Sequence, residues 1–522
     1  MRLNKNTNHN YTVRQLKLPL EIEKLIDISD PVYTFCEVME HIDLSKYFVV
    51  EKGYKTGRPR CDKQKLLKVI LFAFMEYGVC SLRYIEKLCR NDIRYIYLLD
   101  GMKAPSFATF GNFIRNELTE SMEQIFRDVN VFIFDQEHVD LEHAYIDGTK
   151  IEANANRYTW VWKKSCTKNR GKVFEKISLL IDTMNQEVLG YFGVKLEKRE
   201  EYAIDYVSEL LEMYKKGTNL DESTFVSGCG HKKSIPQKQY QELQGYLERL
   251  KTYAHRTEIC EDEKNSYSKT DHDATFMRLK RDYMGNDQLL PAYNLQTAVC
   301  DEYIAVVDVK HYASDMECFV PLMEKFNEIY GHYPKYSVAD AGYGSYNNYL
   351  YCEEHRMEKY MKFTMFKKET ADKKYQENPY RSVNFERDES GNLICPNGKK
   401  FLFKYKRHIY KNKYDRTEEL YECESCEDCQ YKKECCPKAS GNRTIRMNQE
   451  VISNLESVHG ALLRMNRSIQ AEGTFGILKW DKSYKRLFRR GEKNVILELT
   501  LISCGLNLYK YHNKKLRKEE TA

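Results

Sequence analysis

His143-Ala144-Tyr145-Ile146-Asp147-Gly148-Thr149-Lys150-Ile151-Glu152-Ala153 is the stretch at which the chain changes period. Ahead of it, apolar residues recur at three- and four-residue steps. Within it, Ala144-Tyr145-Ile146 is a short apolar run that reads as a strand. The stretch predicts a strand, a turn at Asp147-Gly148 and a second short strand. Strands disfavour aspartate, and a glycine beside it lets backbone or ligand approach closely. Asp147 is therefore a candidate metal ligand at a strand end. Asp-Gly is also what ordinary turns are made of, and the local sequence leaves both readings open.

Upstream, the pattern from Cys61 to about Asn116 is helical. Leu66, Leu67, Ile70, Leu71, Phe74 and Met75 form one apolar stripe. Ser81 is placed to cap a second helix, and Ser106 with Thr109 opens a third carrying Phe110, Phe113 and Ile114. Short helices with tight polar turns are compatible with a helix-turn-helix bundle. Downstream, residues 165–270 are charged and mainly helical, with Leu243, Leu247 and Leu250 suggesting a helical hairpin or coiled segment. Strand signals return at Ala292–Val299 and Tyr303–Val309. A helix is expected from Asp315 to about Tyr330, then a buried strand Lys335–Ala339 ending in Asp340. Residues 365–450 are polar and Cys-rich. Helix resumes near Val451, continues with breaks to about Tyr511, and leaves a charged tail expected to fray.

The second acid sits like the first: Tyr336-Ser337-Val338-Ala339 leads to Asp340, and Ala341-Gly342-Tyr343-Gly344 follows. The third lies in Arg467-Ser468-Ile469-Gln470-Ala471-Glu472-Gly473-Thr474-Phe475-Gly476-Ile477-Leu478-Lys479. Glu472 and Lys479 are seven residues apart, two turns, so they share a helix face. Gly473 and Gly476 each cost roughly 1 kcal/mol in a helix interior relative to alanine, which a surface salt bridge would not require. A carboxylate and an ammonium on one face could hold a metal and a phosphate together.

With these three segments in order, the chain resembles the DDE-type insertion-sequence transposases. Tyr145–Asn156, Val338–Ser345 and Glu472–Lys479 resemble the segments that carry the family's three acids. Tyr293-Asn294-Leu295-Gln296 resembles its second strand, and Gly57–Asn116 its N-terminal domain. The resemblance implies an α/β fold: an RNase H-like mixed-sheet catalytic core, an N-terminal all-α domain and two insertions, one helical and one Cys-rich. The expected division is an arm (1–57), a helical DNA-binding domain (58–140), a core split between 141–164 and 271–364, a helical insertion (165–270), a Cys-rich, zinc-binding insertion (365–450), a catalytic and closing helical segment (451–512) and a tail (513–522). It further implies that Asp147, Asp340 and Glu472 hold two Mg²⁺ or Mn²⁺ ions roughly 3.5–4 Å apart, since hard oxygen ligands suit those ions. Lys479 would contact a phosphate near the cut. The implied activity is metal-dependent cleavage and strand transfer on double-stranded DNA, at transposon terminal inverted repeats and a target. Synapsis of two ends implies a homodimer or higher assembly. A non-catalytic regulator derived from a transposase and an RNase H-like nuclease without strand transfer are the alternatives.

Charge is informative only locally. The 522 residues carry 83 basic and 77 acidic side chains, a net +6 that decides nothing for a chain this long. Between Lys479 and Lys493, however, Lys479, Lys482, Lys485, Arg486, Arg489, Arg490 and Lys493 face only Asp481 and Glu492. Such a run beside a catalytic glutamate suits phosphate binding, and Arg467 lies just ahead of it. A second basic stretch includes Arg58 and Arg60, which fit an arm entering a minor groove or a plain linker. Trp160 and Trp162 beside Lys163 and Lys164 suit stacking on an unpaired base or ordinary core packing.

Six of the 17 cysteines fall between Cys395 and Cys436. Cys423-x2-Cys426-x2-Cys429-x5-Cys435-Cys436 contains the spacings of thiolate zinc sites. A structural zinc on Cys423, Cys426, Cys429 and Cys435 is the preferred reading, with Cys395 and Cys436 as alternates. Iron–sulfur ligation and free thiols stay open. An odd cysteine count in a long chain favours reduced thiols over a disulfide framework. At 42% apolar the chain can bury real cores, about three domains' worth at the usual size. Its polar start has no apolar signal region, and no apolar run approaches the ~20 residues of a membrane span. The expectation is a cytoplasmic, nucleoid-associated protein with no membrane partner.

Overall fold

The computed structural model describes residues 25–48, 61–191, 193, 195–226, 232–260, 264–279, 288–362, 372–389, 392–408, 417–446 and 486–521. Among the described residues six α-helices come first: α1 (Pro31–Glu40), α2 (Lys63–Tyr77), α3 (Leu82–Asn91), α4 (Ile93–Leu99), α5 (Phe107–Phe113) and α6 (Thr119–Glu137). Side-chain oxygens start five of them. Asp30, Asp62, Ser81, Asp92 and Ser106 accept from backbone N–H groups that have no partner inside the helix. The α2 stripe read from sequence is broader than a single face, because Val69 to Met75 are all buried. A helix buried all round belongs inside the molecule.

The sheet is built from β1 (His143–Glu152), with β5 (Leu289–Cys300), β6 (Tyr303–Lys310), β7 (Tyr336–Ala339) and β8 (Glu358–Met361). Between β1 and β5 the chain forms β2 (Trp160–Trp162), β3 (Ser266–Ser268) and β4 (Thr275–Arg278). The core order is β6-β5-β1-β7-β8. β5 and β6 are antiparallel neighbours reached by a tight turn, whereas β7 and β8 run parallel to β1 and to each other. This is an RNase H-like mixed sheet. β4 extends the outer side of β5, so that Ala292 pairs Glu152 on one side and Thr275 on the other. α10 (Phe319–Tyr330) and α11 (Tyr346–Glu354) supply the crossovers, following α7 to α9 introduced below. α10 opens with a tighter turn over Asp315–Cys318, and its Phe319, Leu322, Met323 and Phe326 are buried as the sequence pattern requires.

Two sequence expectations are corrected. β1 is one unbroken ten-residue strand, not two short strands about a turn. Asp147 pairs Thr297 and Gly148 pairs Gln296, so the β5 ladder carries the chain straight through the Asp-Gly step. The C-terminus does not fray either. The last helix, α12, runs Glu492–Thr521. Tyr511 and His512 are buried, and Lys515 and Lys518 pair with Glu37 on α1 and Glu137 on α6. Lysines placed opposite carboxylates of the packed bundle hold the end that looked like a solvated tail.

α12 joins the helical domain to the sheet. Gly505 sits so close to α2 that a Cβ there would meet the Phe74 carbonyl carbon at 2.6 Å. Asn507 donates to Asn130 on α6 and to the Ile304 carbonyl on β6, both at 2.8 Å, and accepts from the Ile304 N–H at 3.0 Å. One continuous apolar cluster runs through α1, α2, α6, β1, β5, β6, α10 and α12.

Two further units have cores of their own. α7 (Lys163–Glu187), α8 (Ile204–Gly217) and α9 (Ile235–Cys260) enclose Ile177, Ile181, Leu210, Tyr214, Leu243 and Leu250. The Cys-rich segment contains the pair β9 (Glu386–Arg387) and β10 (Leu393–Ile394), and the three-stranded sheet β11 (Phe401–His408), β12 (Thr417–Cys423) and β13 (Thr444–Arg446). No helix among the described residues is long and apolar enough to cross a membrane.

Candidate active site

Asp147 and Asp340 are carried by two paired strands. β1 and β7 pair in parallel as His143 with Tyr336, Ala144 with Ser337 and Tyr145 with Val338, a constant offset of 193 positions. The same offset carries Asp147 to Asp340, the residue directly after β7. Both side chains are half-buried at this edge of the sheet. Each carboxylate accepts locally: Gly148 N–H donates to Asp147 Oδ1 at 3.0 Å, and Gly342 N–H to Asp340 Oδ1 at 2.7 Å.

A buried polar network joins residues that the sequence reading quoted only as parts of separate segments. Asn294 and Gln296 are wholly buried on β5, two residues apart and so on one face. Asn294 Nδ2 donates to Asp315 Oδ1 at 2.7 Å, and Gln296 Nε2 donates to Asn294 Oδ1 at 2.9 Å. The Tyr343 hydroxyl donates to Gln296 Oε1. Burial pushes the Tyr343 hydroxyl well above its ordinary range, and the charges of Asp315, Asp147 and Asp340 push it the same way. Tyr343 therefore stays protonated and keeps donating. The available signal was polar alternation, Asn294 and Gln296, inside an otherwise apolar strand.

Asp315 is the second residue the sequence reading passed over, since it was taken only as the start of a helix. A Cβ on Gly342 would lie 2.9 Å from Asp340 Oδ1 and 3.3 Å from Asp315 Oδ2. Carboxylates brought this near one point repel unless a cation or proton lies between them. The donor set is all oxygen, which fits a hard divalent cation. Among the described residues no three acidic, histidine or cysteine side chains converge as a metal cage. Glu472 and Lys479 lie outside the described residues, as do Arg58, Arg60, Arg467, Lys482 and Lys485.

The chain re-enters the described structure at the end of β1. Arg486 bridges to Glu152, and Leu487 N–H donates to the Glu152 carbonyl at 2.9 Å, which docks this segment on the end of β1. Arg486 Nη2 donates to the Ala155 carbonyl at 2.9 Å and Arg490 Nε to the Asn154 carbonyl at 2.6 Å. Buried Glu498 on α12 accepts from the N–H groups of Phe488 and Arg489. Arg486 and Arg490 thus fasten the returning chain to β1. Trp160 and Trp162 both pack around Phe276, at 4.8 and 6.3 Å between ring centroids, with Trp160 37% exposed.

The cysteines gather elsewhere. Cys395, Cys423, Cys426, Cys429, Cys435 and Cys436 all line one small cavity. Burial, then the neighbouring Cys426 and Cys395 sulfurs, push the Cys423 thiol up to about 12. Arg443 donates to Cys435 Sγ from Nη1 at 2.8 Å and to Cys426 Sγ from its backbone N–H at 3.3 Å. The described cysteines form no disulfide. Thiolate sulfur is the donor type that zinc takes, and six sulfurs line this cavity, two of them receiving N–H donors, but among the described residues no three of them converge as a metal cage.

Comparison with known families gives two matches. Residues 20–116 match a transposase domain (DUF772), and residues 394–512 match a transposase DDE domain. No curated protein and no solved structure matches the chain.

Proposed function

We infer that the chain, a DDE-type insertion-sequence transposase by the two family domains it carries, cleaves and joins DNA through Asp147, Asp340 and Glu472. The observation that carries this reading is that Asp147 lies on β1 and Asp340 directly after β7, two strands paired in parallel inside an RNase H-like sheet. The DDE-domain match spans Glu472, and the chain docks on β1 only 14 residues after it.

The three carboxylates would hold Mg²⁺ or Mn²⁺, which supplies nucleophile activation and charge neutralisation at the scissile phosphate. The chain's own residues do the rest. Gly342 keeps side-chain bulk away from Asp340 and Asp315, Gly148 leaves room for Gln296 and Tyr343, and Asn294, Gln296 and Tyr343 form a buried chain of side-chain hydrogen bonds that ends on Asp315. Lys479 is assigned to a phosphate near the cut. Arg58, Arg60, Arg467, Lys482, Lys485, Arg486, Arg489 and Arg490 are assigned to the DNA backbone, and Trp160 and Trp162 to an unpaired base. Because Arg486 and Arg490 also hold β1, their substitution is expected to loosen the site as well as DNA binding. The partner is double-stranded DNA, with two ends held by at least two chains. A structural zinc on Cys423, Cys426, Cys429 and Cys435, with Cys395 and Cys436 as alternates, would set the Cys-rich unit.

The test is Asp340→Asn on a duplex carrying the element's end, with Mg²⁺. Cleavage should disappear while binding persists; a variant that still cuts would sink the assignment. A pre-cut end separates joining from hydrolysis alone, since a nuclease would show no strand-transfer product. A wild-type chain that binds without cutting would favour a regulator.

A further inference from the structure

We propose that the exposed face of α7 is a clamp for the phosphate backbone of duplex DNA. The inference rests on the transposase reading and adds a surface to it. Lys164, Lys168, Lys172 and Lys176 stand four residues apart along one helix and are all exposed. Residues at that spacing lie one above another on the same face. Among the described residues none of the four has an ion pair or a hydrogen bond from its side chain. From Lys163 to Lys176 the segment has six basic residues and one acid, Glu175.

Like charges at i,i+4 repel and weaken a helix. α7 does not need this stripe for packing, because Val173, Ile177, Leu180, Ile181 and Met184 bury the opposite face. A stripe that costs the free helix and serves no contact within the chain fits an anionic partner. Four-residue steps rise about 6 Å each, close to two successive phosphate repeats of one strand at about 3.4 Å along the duplex axis. Lysine is a compact charge on a flexible stem, suited to phosphate without base readout. No aromatic ring stands on this face for stacking: Phe174 is half-buried beneath Arg170. A duplex backbone fits better than a single strand, which would call for such rings.

Position supports the same partner. α7 starts directly after β2, eleven residues beyond the end of β1, the strand that carries Asp147. Trp160 against Phe276 of β4 fixes that start to the sheet.

The experiment measures binding of the full chain to a duplex of unrelated sequence across a salt series. The quadruple variant Lys164→Gln, Lys168→Gln, Lys172→Gln, Lys176→Gln should unfold at the wild-type temperature or above. Its slope of log Kobs against log salt should be shallower by about 3.6, the value for four lost phosphate contacts. The quadruple Lys→Arg variant should restore the slope, which a merely structural role would not predict. A Gln variant with the wild-type slope overturns this inference alone. A Gln variant whose change appears in self-association rather than in the salt slope assigns the stripe to a second copy and also overturns it. A wild-type chain that binds no DNA overturns the transposase reading together with the inference.

Discussion

Gly148 shows how little room the candidate site leaves. A Cβ at this position would stand 2.5 Å from Gln296 Nε2 and 2.7 Å from the Tyr343 hydroxyl, two groups already tied to each other. Gly148→Ala should therefore push the network apart beside Asp147 and lower cleavage, with DNA binding retained in a mobility-shift assay. Tyr343→Phe probes the same network without adding bulk. It leaves Gln296 Oε1 buried and without its donor, a loss of about 1–3 kcal/mol. Chemical denaturation should show that loss. The cleavage rate should fall while affinity for DNA ends is unchanged. Equal losses in binding and rate would mean that Tyr343 supports the fold as a whole rather than the acids.

At the scale of elements, α12 and the Cys-rich unit make separate predictions. His512 on α12 is buried against Thr34 of α1, with Nδ1 2.9 Å from the threonine hydroxyl. Burial lowers its pKa below the ordinary 6.5; the charges around it are Asp30 and Glu519, which raise it, and Lys515, which lowers it. A base with a depressed folded pKa favours its neutral form in the fold. Its stability contribution is present above about pH 6.5 and is lost as pH falls through the folded pKa. Thermal melts from pH 8 to pH 5 should show stability falling on the acid side, with a smaller fall in His512→Gln. Identical slopes would assign the acid loss to other groups. In the Cys-rich unit, elemental analysis should find one zinc per chain. Zinc uptake should release protons, because the thiol of Cys423 is held up to about 12 without metal. Cys426→Ser should lose the zinc; a metal-free wild-type chain would leave the cavity to free thiols.

At the scale of the whole molecule, the apolar clusters divide the chain differently from its sequence order. The N-terminal helices, the sheet and α12 share one core, whereas α7 to α9 form another. β2 and β3 pair antiparallel at the base of the helical insertion, with Trp162 opposite Ser266. Replacing residues 165–262 by a short Gly/Ser turn should leave a chain that still unfolds cooperatively. Truncation before α12 should not, since it removes Leu497, Leu501, Gly505 and Asn507 from the shared core. Circular dichroism melts of the two deletions provide the comparison. Two cooperative deletions would mean that α12 is an accessory rather than the centre of the fold.

Much of this was legible in the chain. Apolar spacing gave the helical stripe Leu66–Met75, Ser81 as the cap of the next helix, strands at Ala292–Val299, Tyr303–Val309 and Lys335–Ala339, and the helix from Asp315, which the structure places close to those bounds, because those periods depend only on neighbours a few residues away. The ordered acids and the cysteine spacing pointed to family and metal class for the same local reason. Pairing was not legible. Asp147-Gly148 reads as a turn until β5 supplies a ladder that carries it straight through. The charged C-terminus reads as a frayed tail until Glu37 and Glu137 stand opposite its lysines. Asp315, Gln296 and Tyr343 acquire meaning only when three distant segments close on one point. Side-chain periodicity is a property of one segment, whereas register, burial and the approach of like charges exist only between segments. The acids at residues 147 and 340 were thus readable from sequence, but that the strands carrying them pair in parallel was decided by the fold.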